Sequence, residues 1–123
     1  MKIMEVSERF GISNDTLRYY ERVGLIPPVN RGENGIRDYS ELDMRRVEFI
    51  KCMRSAGLPV EALIEYMGLV LQGDQTIEAR KEILVEQREQ LVTRMQEMQK
   101  TLDILNRKID GYENGILRRE KDL

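Results

Sequence analysis

The chain has 123 residues, with 20 Lys and Arg against 22 Asp and Glu, one cysteine and no histidine. This length allows one modest domain with an extension, and no apolar run approaches the roughly 20 residues of a membrane-spanning helix, so we expect a cytoplasmic protein without a membrane partner. The nearly balanced charge does not by itself favour nucleic acid, so any such function depends on where the cations lie.

The N-terminal residues predict two short helices joined by a turn. Apolar residues recur at helical spacing in the first segment, at Ile3, Val6 and Phe10. Gly11 follows them, and glycine suits a helix end because it adopts positive φ without strain. Ser13 is a candidate N-cap for a second helix over about residues 14–23. Two helices connected through a glycine-containing turn are typical of a helix-turn-helix unit.

The second helix carries an arginine and two tyrosines in succession, Arg18, Tyr19 and Tyr20. Neighbouring side chains on a helix point about 100° apart, so both tyrosines cannot face one narrow core stripe. We expect Leu17 and Tyr20 to pack on the first helix. Arg18 and Tyr19 are then either solvated or face a DNA groove, with Arg18 reaching a guanine edge or phosphate and Tyr19 a phosphate.

A hairpin is predicted after the second helix. Two prolines stop that helix, and Asn34-Gly35 is a strong signal for a type I′ turn, which needs positive φ at both positions. We expect a two-stranded ribbon over about residues 31–39. Because side chains alternate along a strand, Arg37 and Tyr39 are predicted to share an exposed face, with Arg31 on the opposing strand.

Two further helices are predicted before residue 74. Ser40 is the expected cap of the first helix, which ends near Gly57. Its apolar stripe comprises Leu42, Phe49, Ile50 and Met53, and its opposite face Arg45, Arg46, Lys51 and Arg54. Pro59 suits the first position of the next helix, which runs to Gly73. In that helix, apolar residues repeat at Ala62, Leu63, Tyr66, Met67 and Val70.

The remaining sequence predicts one long helix with a single apolar seam. One row recurs every seven residues and comprises Ile77, Leu84, Leu91, Met98, Leu105 and Tyr112. A second row, four residues on, comprises Lys81, Arg88, Met95, Leu102 and Ile109. A helix of about 50 Å cannot bury such a seam on so small a body, so we expect dimerisation through the apolar members of both rows. The predicted domains are residues 1–73 and the coiled coil with a short tail, 74–123.

The run TLRYYERVGLIPPVNRGENGIRDYS, after EVSERFGIS, resembles the DNA-binding domain of MerR-family transcription regulators. The resemblance implies a mainly α fold, with a winged helix-turn-helix head, a small β-hairpin wing and a coiled-coil dimerisation helix. It also implies a homodimer that bends and untwists promoter DNA and so affects RNA polymerase indirectly. The predicted DNA-contacting residues are Ser13, Thr16, Arg18, Tyr19, Tyr20, Arg31, Arg37, Tyr39 and Arg54. The amides that open the helix at Pro59 are predicted to bind a phosphate.

The residue types that the chain lacks limit the signals that it can sense and the reactions that it can catalyse. One cysteine and no histidine argue against the metal sites of the family's metal sensors and against an iron–sulfur cluster, so no metal or cofactor is expected. Catalytic motifs are also missing, so we predict that the protein is not an enzyme. Cys52 is interpreted either as a small buried apolar residue or, by resemblance to the aldehyde- and thiol-stress branch of the family, as a sensor thiol. The alternative function is a coiled-coil interaction module whose N-terminal domain does not bind DNA.

Overall fold

The computed structural model describes residues 1–113 and 123 and is mainly helical. Its α-helices are Ile3–Phe10 (α1), Asn14–Arg22 (α2), Glu41–Ser55 (α3), Val60–Gln72 (α4) and Ile77–Glu113 (α5), and a short 3₁₀ helix, Asp74–Thr76, precedes α5. The contacts divide the chain into two compact units, a head unit, Met1–Ile83, and a helical unit, Leu84–Leu123. The functional boundary after residue 73 stays a prediction, and residues 114–122 of the predicted C-terminal tail lie outside the described residues.

The predicted helix ends are confirmed where a local signal marks them. Gly11 ends α1 in the left-handed conformation, with φ of 66°. The side chain of Ser13 caps α2, as its position before the helix predicts. Ser40 opens α3 with a full capping box, in which its side chain and that of Asp43 each accept the other residue's backbone N–H. Pro59 is the N-cap residue of α4 rather than its first helical residue.

The segment between α2 and α3 forms a tight turn, but the predicted two-stranded ribbon is not found there. Residues 30–38, the 30–38 loop, contain one isolated antiparallel bridge, Arg31 to Arg37, and no strand. The Gly35 amide donates to the Gly32 carbonyl at 3.0 Å, and only Gly35 has positive φ within the loop. The prediction of a type I′ turn is therefore wrong, because that turn needs positive φ at both central residues and φ of Asn34 is negative. So short a ladder, with no further strand beside it, does not extend into a sheet.

One hydrophobic core lies within the head unit. Its buried members are Val6, Leu17, Tyr20, Leu25, Ile26, Val29, Tyr39, Val47, Ile50, Leu63 and Met67. The stripe predicted for α3 is partly wrong, because Leu42 is 46% exposed while Val47 is fully buried. Asp43 lies on the buried side of the first turn, where the capping box and an ion pair with Arg46 satisfy its carboxylate. The core thus fixes α2 through Leu17 and Tyr20.

The last helix, α5, runs without interruption for 37 residues, which corresponds to about 55 Å. Gly111 does not end it. The apolar seam is exposed along the described chain: the exposed members include Leu91 at 42%, Met95 at 60%, Met98 at 70% and Ile109 at 59%. Among the described residues, no helix is long and apolar enough to cross a bilayer.

Candidate nucleic-acid interface

The start of α2 is fixed by two of the predicted contact residues. The Thr16 amide donates to the Ser13 side-chain oxygen at 3.1 Å, and the Ser13 hydroxyl donates to the Thr16 hydroxyl at 2.8 Å. Both bonds stabilise the first turn of α2. The negative charge of Asp15 in the same turn also interacts favourably with the positive end of the helix dipole. Ser13 is exposed and Thr16 is half-buried. Their hydroxyls therefore hold the helix start, and their contact with DNA stays a prediction.

The Arg18-Tyr19-Tyr20 run divides between core and surface as the helical geometry requires. Tyr20 is buried in the core, Arg18 is exposed and Tyr19 is half-buried. The Arg18 guanidinium pairs with the Asp15 carboxylate at 3.2 Å, and the Arg22 guanidinium lies 5.5 Å from the centre of the Tyr19 ring. An exposed ion pair of this kind contributes only about 0.2 to 1 kcal/mol, so the Arg18 guanidinium can readily leave Asp15 and pair with another anion.

Arg37 joins the 30–38 loop to α2. Its Nε lies 2.7 Å from Oε1 of Glu21, and both side chains are mostly buried. Glu21 was not among the predicted site residues, and its second oxygen accepts the backbone N–H of Val29 at 3.2 Å. The carboxylate therefore contacts both the loop and the chain that leads into it.

Arg31 lies on the other side of the same loop. Its Nη1 donates to the Gly35 carbonyl at 2.8 Å, and the side chain is exposed. This bond connects the two sides of the turn within the 30–38 loop. Arg31 and Arg37 are paired across the single bridge, so the loop carries two cations at opposing backbone positions.

The prediction that Tyr39 is exposed beside Arg37 is wrong. Tyr39 is 2% exposed and is a member of the core. The last cross-loop hydrogen bond joins the Asp38 amide to the Asn30 carbonyl at 2.7 Å, so Tyr39 lies beyond the paired segment and does not follow strand alternation. Burial raises the pKa of its phenol, which nearby Arg37 partly opposes. Its hydroxyl is buried and makes no hydrogen bond with the described residues.

The C-terminal end of α3 carries a further cation, Arg54. Arg54 is exposed and donates to the Leu58 carbonyl at 2.8 Å, which closes the turn before α4. Burial raises the pKa of the Tyr20 phenol, and the charge of Arg54 partly opposes that rise. Within the described residues, no side chain caps the first turn of α4, so its first backbone N–H groups have no side-chain acceptor there.

Cys52 is exposed on α3 and is a free thiol. The interpretation of Cys52 as a small buried apolar residue is therefore wrong. Its backbone carbonyl accepts the Ala56 amide at the end of α3. Among residues 1–113 and 123, no three His, Cys, Asp or Glu side chains come together as a metal site.

Two family models match the chain, and together they extend from the first residue into α5. Residues 1–69 match the model described as MerR HTH family regulatory protein, and residues 44–108 match the one described as MerR, DNA binding. The chain belongs to the MerR family of DNA-binding transcriptional regulators. The family assignment by resemblance is thereby confirmed, and the relatives named below are regulators rather than enzymes.

This MerR-family regulator is similar to several proteins over most of its length. It is 60% identical to the HTH-type transcriptional regulator AdhR of Bacillus subtilis over 75% of this chain and 66% of AdhR. A solved MerR-family protein of Listeria monocytogenes is 46% identical, with a TM-score of 0.82 over 99% of this chain and 92% of the other. HiNmlR, solved bound to promoter DNA and described as a MerR family regulator lacking the sensor domain, is 28% identical. Its TM-score is 0.73, over 94% of this chain and 92% of HiNmlR.

Sequence reasoning missed Glu21 as a residue of this interface. Its partners lie 8 and 16 residues away along the chain, at Val29 and Arg37. Glu21 lies on α2, whereas Val29 and Arg37 lie in the chain that follows this helix, so the period of no single element connects these residues. Only the packing of the 30–38 loop against α2 brings them together.

Proposed function

We propose that this regulator acts as a homodimer and binds promoter DNA with α2 in the major groove and the 30–38 loop along the neighbouring backbone. The observation that carries the proposal is the division of α2, in which Leu17 and Tyr20 anchor the helix while Arg18 and Tyr19 face outwards. The likeness to HiNmlR, a family member solved on promoter DNA, supports the same orientation of the head.

Within this proposal, the residues at the start and on the outer face of α2 have different roles. Arg18 reads a guanine edge, because its guanidinium presents paired donors that match O6 and N7. Tyr19 donates its hydroxyl to a phosphate, and Ser13 and Thr16 lie at the helix start where a phosphate is favoured. Tyr20 supports the helix from the core and does not read the DNA.

The cations outside α2 bind the phosphate backbone in this scheme. Arg31 and Arg37 approach it from the 30–38 loop, and Arg54 approaches it with the uncapped N-terminus of α4. A helix N-terminus of this kind carries a partial positive charge and free N–H donors. Phosphate contacts of this type set register and affinity, whereas base contacts set sequence preference.

Dimerisation through α5 provides the second head. The apolar seam is exposed in the single chain, and a matching seam on a second copy is the simplest surface to cover it. The residues proposed to bury each other are Ile77, Leu84, Leu91, Met95, Met98, Leu102, Leu105, Ile109 and Tyr112. Two heads held at a set separation require two half-sites at a matching distance and phase.

The proposed regulatory step is a change in promoter shape. Two heads bound to one duplex bend and untwist it, which costs about 1 to 10 kcal/mol and is offset by contacts at both ends. RNA polymerase then responds through the altered promoter rather than through direct contact with the regulator.

Cys52 is the proposed sensor of electrophiles. Its exposure on α3 allows a small aldehyde to reach the sulfur. The thiolate sulfur bonds to the aldehyde carbon and the former carbonyl oxygen takes up a proton, which gives a hemithioacetal. The adduct lies on α3, which follows the 30–38 loop and precedes α4. It can therefore change the orientation of the two proposed phosphate-binding segments, the 30–38 loop and the N-terminus of α4.

Binding to a duplex over a range of salt concentrations tests the DNA-binding mode. A duplex selected by the protein from a random-sequence library is expected to bind with a steep loss of affinity in salt, with a log–log slope of about −0.9 for each neutralised phosphate. A protein that selects no duplex and binds with no salt dependence instead fits the rival function, a coiled-coil interaction module.

A further inference from the structure

We propose that Glu21 is a positioning residue of the DNA interface, whose carboxylate orients Arg37 toward a phosphate. The inference rests on the proposed function, because it requires the 30–38 loop to lie on the DNA backbone. It adds a residue that makes no contact with DNA itself and acts through the arginine that does.

The contacts of Glu21 lock its carboxylate on both sides. Oε1 lies 2.7 Å from Arg37 Nε, and Oε2 accepts the Val29 N–H at 3.2 Å. The Glu21 side chain is 14% exposed and that of Arg37 is 21% exposed, so solvent screens this pair less than a surface pair. Val29 is itself a core residue. The loop is therefore tied to α2 through one carboxylate that has no free oxygen.

The pairing through Nε leaves the outer edge of the guanidinium available. Within the described part of the chain, Nη1 and Nη2 of Arg37 make no hydrogen bond. An arginine held by one carboxylate at Nε still presents its terminal amino groups, and such a planar donor pair matches phosphate oxygens. Holding the side chain in advance also reduces the rotamer entropy that is lost when it binds.

A competing role for Glu21 makes the opposite prediction. If its carboxylate only neutralised Arg37, removing the negative charge would release the cation and tighten DNA binding. Glu33 provides the matched control, because it is exposed in the same loop and makes no ion pair among the described residues. Glu33→Gln therefore measures the effect of removing one negative charge near the DNA without altering the orientation of Arg37.

The experiment compares Glu21→Gln, Arg37→Gln, the double variant and Glu33→Gln with the wild type. Affinity is measured against salt concentration on a duplex selected by the wild-type protein from a random-sequence library. Arg37→Gln and Glu21→Gln are each expected to reduce the magnitude of the log–log slope by about 0.9, the value for one phosphate. The double variant is expected to reduce it no further, and Glu33→Gln to keep the wild-type slope.

Circular dichroism and thermal unfolding establish that each variant is folded. Glu21→Asp is the second variant if Glu21→Gln does not fold, because it keeps the charge but is one methylene too short to hold both donors. The same fall in slope is expected for Glu21→Asp. The inference is supported if the Glu21, Arg37 and double variants all show the same slope and this slope is smaller in magnitude than that of the wild type.

Four results overturn it. A folded Glu21 variant with the wild-type slope shows that Arg37 needs no orientation by Glu21. Tighter binding of Glu21→Gln than of Glu33→Gln shows that Glu21 competes with phosphate. An unchanged slope for Arg37→Gln shows that Arg37 does not contact a phosphate, but it leaves the assignment of α2 to the major groove intact. A wild type that selects no duplex overturns the proposed function as well as the inference.

Discussion

The main chains of Met1 and Tyr39 are hydrogen-bonded in both directions. The Tyr39 amide donates to the Met1 carbonyl at 2.7 Å, and the Met1 amino group donates to the Tyr39 carbonyl at 2.9 Å. The same amino group pairs with the Asp38 carboxylate at 2.7 Å. These bonds hold the end of the 30–38 loop against the start of the chain, and the Tyr39 ring lies in the core as a result.

The buried Tyr39 hydroxyl predicts an unusual result for Tyr39→Phe. A buried hydroxyl without a hydrogen bond lowers stability by about 1 to 3 kcal/mol, so its removal is expected to leave the free energy of unfolding unchanged or to raise it. Tyr39→Ala is the control, since loss of the whole ring is expected to cost about 3 to 5 kcal/mol. Urea unfolding at one fixed protein concentration measures both. A loss above about 1 kcal/mol for Tyr39→Phe would show that the hydroxyl has a partner.

The raised pKa values of Tyr20 and Tyr39 predict a loss of stability at alkaline pH. Burial raises both above the usual 10.0, so the unfolded chain releases these protons at a lower pH than the folded chain. The stabilisation is fully present below pH 10.0 and is lost as pH rises through the folded pKa. Tyr39→Phe is expected to make this loss shallower. Unfolding free energies measured across that range test it, and an equally steep loss in the variant would contradict it.

Arg18→Ala is expected to weaken binding to the selected duplex by roughly 1 to 3 kcal/mol and to relax sequence preference. The reason is the loss of a bidentate contact with a base edge. Arg45→Ala removes the same charge from an exposed position on α3 and is expected to keep the preference. Competition between matched and mismatched duplexes measures the difference. Wild-type affinity for Arg18→Ala would rule out the assignment of α2 to the major groove.

Leu91→Asp is expected to split the dimer and abolish specific DNA binding together. The change places a charge in the apolar seam of α5, where Leu91 is 42% exposed in the single chain. Gln96→Asp introduces the same residue at an exposed position away from the seam and is expected to have little effect. Analytical ultracentrifugation and duplex binding measure both consequences. A wild type that sediments as a monomer at micromolar concentration would disprove the proposed assembly.

Cys52→Ser is expected to keep DNA affinity and lose the transcriptional response to aldehydes. Serine nearly preserves the size of the side chain but has little nucleophilicity at neutral pH. The exposed thiol of the wild type is expected to form one adduct per chain. Mass spectrometry counts adducts, and a promoter reporter measures the response. A Cys52→Ser strain that still responds fully would eliminate the thiol as sensor.

The features that the sequence determined by itself are those set by residues close together along the chain. The caps at Ser13 and Ser40, the helix end at Gly11 and the seven-residue row of α5 are examples. Each depends on contacts within about one helical turn or on a repeated period, so a short window of sequence contains the whole signal. The division of Arg18 and Tyr20 between surface and core follows from helical geometry in the same way.

Only the tertiary structure decided the features that join distant segments. Strand alternation predicted an exposed Tyr39, but its ring is buried because the pairing across the 30–38 loop ends at residue 38 and the Tyr39 main chain pairs with Met1 instead. Glu21 meets Arg37 across 16 positions, and Cys52 is exposed although free cysteine is usually buried. Burial and ion pairing depend on which surfaces meet in the folded head unit, and no residue type or local period specifies that meeting.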